Sequence, residues 1–230
     1  MKTNNKMAEM ALGYGSEYQL LRFLGHHREE LDVLVQNATG VFEPIRWLDY
    51  PYDNERKSGD GELIGVECFK NLPNYGEIQE EWKKFWPQGG NSMNWDGIFI
   101  MGGVWYFVEA KANEKEAFQE CGAKSIDSRR QIDRAMEFTK EWLGVDNTIN
   151  WRRTNCYQLA NRLAFAAFCN KICNVPARLL YVGFLNGFRH YSVHSTDDWE
   201  AIWRHEYETL GVAEEDLRDV LYQIYPNCIR

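Results

Sequence analysis

The segment WDGIFIMGGVWYFVEAKAN, residues 95 to 113, constrains the fold more than any other part of the chain. Gly102-Gly103 separates two apolar runs, and a glycine pair suits a two-residue hairpin loop whose central residues need positive φ. Closing that loop sets Ile100 against Trp105, Ile98 against Phe107 and Asp96 against Glu109. Lys111 lies two residues beyond Glu109 and so projects from the same face. The other residues of both runs are apolar on both faces: Trp95, Ile98, Phe99 and Ile100, then Val104 to Val108. Such strands belong inside a sheet covered on both sides.

The charged exceptions therefore need a reason. Directly opposed residues bring their β-carbons to about 5 Å, where like charges repel. A hard divalent cation turns that repulsion into binding, because magnesium takes carboxylate oxygens and keeps several waters. Asp96, Glu109 and Lys111 read as a metal site with a charged helper.

This segment is similar to the core of the PD-(D/E)XK nuclease superfamily, whose signature is an Asp on one strand and Glu-x-Lys on the next. Asp96 matches the first acidic position, Glu109 the second and Lys111 the lysine, while Trp95 stands where the motif has proline. The resemblance covers about residues 11 to 186. It implies an α/β fold with a central mixed sheet, a restriction-endonuclease-like αβββαβ core flanked by helices. One nuclease-like domain would fill residues 1 to 230, with a C-terminal helical extension over about 187 to 230. The implied activity is magnesium-dependent phosphodiester hydrolysis in nucleic acid, DNA ahead of RNA, with manganese as a substitute. Asp96 and Glu109 would bind the metal with the Ala110 carbonyl, and Lys111 would position water or stabilise the transition state. Glu17, at the start of the first helix, matches a further acidic ligand of several branches; alone it would simply favour the helix dipole. Gln158 and Arg162 share one face of a later helix and would hold a phosphate. Cutting both strands of a duplex would favour a homodimer. The alternative is a catalytically inactive nuclease-fold module for nucleic-acid or protein binding, with the Trp-rich stretch 71 to 95 as its interface.

A net charge of −8 excludes a broad basic coat for nucleic acid and confines any such contact to a local cleft. Arg129-Arg130, Arg152-Arg153 and Arg189-His190 are the local basic pairs. The six cysteines form no CxxC pair and read as free thiols in a cytoplasmic chain without a membrane segment or signal peptide. His26-His27 and His190 with His194 read as surface histidines.

Periodicity places helices from Ser16 to about residue 35 with a break near Gly25 to His27, over Glu77 to Phe85, from Ser128 to Leu143 behind an Asp127 cap, from Thr154, and from Asp197 or Asp198 to Leu210. Strands are expected over 41 to 48, 63 to 69 and 177 to 185, with a turn-rich loop over 50 to 62 and an amphipathic tail from Ala213 to Tyr225.

Overall fold

The computed structural model describes residues 15–48, 62–89, 93–187 and 192–229. Arg189, His190 and most of the 50 to 62 loop lie outside them. The glycine loop forms as the sequence requires, with φ of 57° at Gly102 and 76° at Gly103. Strand β4, Gly97–Met101, pairs antiparallel with β5, Val104–Lys111, in the expected register: Ile98 faces Phe107 and Ile100 faces Trp105.

The ladder stops at Gly97 opposite Val108, one residue short of Asp96. Residues Asn94–Trp95, β3, turn away to pair with β2, Leu63–Ile64. The chain bends at Asp96 between these two pairings, so Asp96 is not the strand partner of Glu109. Its side chain returns instead to β5, accepting a hydrogen bond from the Ala110 amide at 2.7 Å.

Five strands make the main sheet. Strand β1, Arg46–Trp47, lies antiparallel to β4, while β6, Ala177–Gly183, and β7, Leu221–Ile224, continue parallel beyond β5. Helices α1, Ser16–His26, and α2, Arg28–Thr39, cover one face. Leu20, Phe23, Leu31 and Val35 pack there against Phe99, Val108, Leu180 and Val182. The other face carries α3, Tyr75–Phe85, α4, Ile126–Leu143, α5, Tyr157–Lys171, and α6, Thr196–Leu210. Trp82, Ile132, Phe165, Trp199 and Trp203 meet Ile98, Phe107, Leu179 and Tyr181 on that side. Helix α5 is buried along nearly its whole length, as a helix apolar all round must be. The fold is thus mixed α/β, a mixed sheet between helical layers.

Several boundaries differ from the sequence expectation, each for a local reason. Gly15 rather than Ser16 caps α1, and the Ser125 and Ser195 side chains cap α4 and α6 by accepting the Ser128 and Asp198 amides. The hydroxyl of Thr154 donates to the Trp151 carbonyl at 2.9 Å, so α5 starts three residues later. Residues Gly65–Phe69 form a 3-10 helix, and the first expected strand shrinks to β1. The largest difference is β7. Residues 221 to 224 were expected in a helical extension, yet they supply the hydrogen bonds that the outer edge of β6 would otherwise lack. All six cysteines are free, as expected. His26 and His194 stay outside the core. No described helix is long and apolar enough to cross a membrane.

Two packing details carry tests. A β-carbon on Gly183 would lie 2.8 Å from the buried Trp199 ring. Gly183→Ala is expected to cost about 1 to 3 kcal/mol in urea denaturation, since an overpacked site has to shift to relieve the clash. Unchanged stability would mean that Trp199 is loosely held. Glu206 on α6 is 1% exposed, and one of its carboxylate oxygens has no hydrogen-bond partner. Burial pushes its carboxyl up to about 8, with Lys111 acting against the shift and Glu109 adding to it. A raised folded-state value means stability present in acid and lost as pH climbs from about 4.5 to about 8. Glu206→Gln, neutral throughout, should flatten the fall in melting temperature across that window; an unchanged slope would rule out Glu206 as its source.

Candidate functional site

Strand β5 ends in two buried charges. Glu109 and Lys111 alternate onto the α5 side of the sheet and are 3% and 5% exposed. Burying an ionised group is tolerable only if it is paired and hydrogen-bonded. The first turns of α5 supply the partners. One Glu109 oxygen accepts from Lys111 Nζ at 2.5 Å and from Gln158 Nε2 at 2.6 Å, and the other accepts from Arg162 Nε at 2.7 Å. Gln158 also accepts from Lys111 Nζ at 2.7 Å, so the amide bridges the ion pair. Burial raises the Glu109 carboxyl, but the Arg162 and Lys111 cations outweigh it and hold the group below the ordinary range.

Arg162 is 6% exposed and spends its other donors on Asn161 and the Asn94 carbonyl, with its guanidinium 4.7 Å from the centre of the Trp95 ring. Its geometry makes it a clamp on Glu109. The phosphate contact that the resemblance implied for Gln158 and Arg162 would therefore act through Glu109 and Lys111.

Beside this pair lies a cluster of acids. Ligand atoms of Glu17, Glu62 and Asp96 lie within 4.8 Å of one another. The first turn of α1 brings Glu17, the residue before β2 brings Glu62, and the bend after β3 brings Asp96. Burial, followed by the Glu17 charge, pushes Glu62 up to about 7, although Asn94 donates to it. Burial and the Glu109 charge likewise push Asp96 well above the usual carboxylate range, against Lys111. Glu62 and Asp96 are costly to ionise without a counter-charge, and with Glu17 they make a set of oxygen donors that fits a hard, oxygen-seeking cation, with no thiol or imidazole among them.

Every residue singled out from the sequence as a site candidate, Glu17, Asp96, Glu109, Ala110, Lys111, Gln158 and Arg162, lines one cleft of about 1130 Å³. Glu62 joins them unforeseen. Its only sequence signal is an acid directly before two apolar strand residues. Arg152 lies apart, paired with Asp133 at 2.7 Å.

Comparison with family models, with curated proteins and with solved structures gives no match. The reading of this cleft therefore rests on its own geometry and on the motif.

The acid cluster has a measurable consequence. Glu62 titrates high, so the metal-free chain should lose stability as pH rises from about 4.5 through about 7, the interval over which the folded carboxylate becomes charged. At pH 8, Glu62→Gln should raise the melting temperature of the metal-free chain. Magnesium or manganese should stabilise the parent, by about 2.7 kcal/mol at a hundredfold excess over Kd, and the variant far less. Equal metal responses would show that Glu62 is not a ligand.

Proposed function

We propose that this chain is a metal-dependent nuclease that hydrolyses phosphodiester bonds, with magnesium as its cofactor, manganese as a substitute, and DNA ahead of RNA as its substrate. The observation that carries the reading is the convergence, in one cleft, of the Glu17, Glu62 and Asp96 oxygens with the Glu109 and Lys111 pair. A divalent cation held by those acids would supply a Lewis acid for a phosphoryl oxygen and lower the pKa of an attacking water.

The chain's own groups divide the remaining work. Asp96 is fixed by the Ala110 amide, so its free oxygen keeps one direction. Lys111 is steadied by Glu109 and Gln158, which places an ammonium beside the acid cluster to offset charge growing on the transferring phosphoryl group. Arg162 and Gln158 act as positioning residues, because they hold Glu109 and through it Lys111. Glu109 itself, with both oxygens engaged, anchors the lysine more directly than it offers a ligand. The PD-(D/E)XK resemblance assigned it to the metal, so the ligand set favoured here exchanges Glu109 for Glu62.

The saturation of Glu109 by three donors also favours a second reading, a binding module of the same fold whose charges are neutralised internally. Cleavage separates the two. Single-stranded, duplex and branched DNA and RNA incubated with magnesium or manganese should be cut in a chelator-sensitive reaction. Asp96→Asn and Lys111→Ala should each slow it by about 10² to 10³, the range lost on deleting one electrostatic stabiliser. Variants that cut as fast as the parent would remove the assignment, and a parent that binds cation and nucleic acid without cutting would favour the module.

A further inference from the structure

Beyond the acid cluster the cleft runs as a trough between two walls. The end of α3 contributes Trp86 and Pro87 on one side, and the segment leading into α4 forms the other. Gln131 of α4 donates to the Lys83 and Lys84 carbonyls at 2.9 and 3.0 Å, which ties the two walls together.

Among the described residues, the charge balance along this trough suits a duplex poorly. A protein that grips double-stranded DNA through about 6 to 10 phosphates neutralises them with Lys and Arg side chains. Among the described residues, six acidic and four basic side chains line the cleft, and two of the basic ones, Lys111 and Arg162, are buried and turned onto Glu109. Lys115 and Lys124, both exposed, line the cleft as well. That number suits a few phosphates of one strand.

The wall also offers rings. Phe118 and Tyr157, both half-buried, line the trough on segments joined by backbone hydrogen bonds: the Gln119 amide donates to Asn155 at 2.6 Å and the Tyr157 amide donates to Gln119 at 3.1 Å. That bridge holds the two segments together. Phe118 is further braced edge-on against His205, with ring centres 5.5 Å apart. Aromatic rings beside a short basic rim are the parts with which proteins hold unpaired nucleotides, because every base has a face to stack. Paired bases inside a double helix present only their edges to a groove.

We infer that the cleft takes a single-stranded segment of nucleic acid, its bases stacked on Phe118 and Tyr157 and its phosphates beside Lys115 and Lys124. The inference rests on the nuclease reading for its chemistry, not for its binding geometry.

The test uses the full chain and one labelled oligonucleotide, single-stranded or annealed to its complement. Binding is followed in calcium and cleavage in magnesium. Single strands should bind and be cut at least tenfold better than the blunt duplex. Phe118→Ala and Tyr157→Ala should each weaken single-strand binding by about five- to a hundredfold, the usual loss of one stacking partner. Phe118→Leu keeps the packing volume and Phe118→Tyr keeps the ring. Weakened binding in the first and retained binding in the second, at parental melting temperatures, assign the effect to stacking. Equal or better use of the duplex, or full single-strand binding by both alanine variants, overturns the inference. Stacking-dependent single-strand binding without magnesium-dependent cleavage upholds it while removing the nuclease reading.

Discussion

The Glu109 carboxylate sits at the end of a central strand, 3% exposed, and almost everything around the cleft follows from neutralising it. A buried carboxylate without partners would protonate or unfold the chain. Arg162, Lys111 and Gln158 meet it within 2.7 Å, and two of them come from α5. The otherwise apolar α5 must therefore lie with its first turns against the end of β5, so its register on the sheet is set by charge as well as by packing. Breaking one member of such a group strands the others, which makes it a strong determinant of geometry even where its net contribution to stability is small.

The same cluster polarises its surroundings. Burial pushes the Asp96 carboxyl well up, and the field of Glu109, kept ionised by two cations, adds to the shift. Glu62, next to Glu17, is driven the same way. The cleft thus holds one settled ion pair and two further acids, Asp96 and Glu62, short of positive charge. A divalent cation would relieve that shortage, and Lys111 stands between the two sets.

Much of this arrangement was legible in the sequence. The Gly102-Gly103 loop fixed the hairpin register, and alternation along β5 put Glu109 and Lys111 on one face. The spacing of Gln158 and Arg162 put both on one side of α5, although their partner was not visible. What could not be read depends on contacts distant in the chain. Asp96 leaves the ladder because β3 pairs with β2, thirty or so residues earlier. Glu62 reaches the cleft by that same pairing, and a lone acid beside a turn carries no periodic signal. The strand at residues 221 to 224 exists because β6 has an edge to cover, a fact about the sheet and not about the tail.

The claim on which the account turns is that Glu17, Glu62 and Asp96 together bind a divalent cation. Manganese soaked into crystals of the chain locates such an ion directly through its anomalous scattering. The account expects a peak at bonding distance from oxygens of all three side chains, with Glu109 still held by Lys111 and Arg162. A peak elsewhere, or none at manganese concentrations that saturate ordinary carboxylate sites, would contradict it.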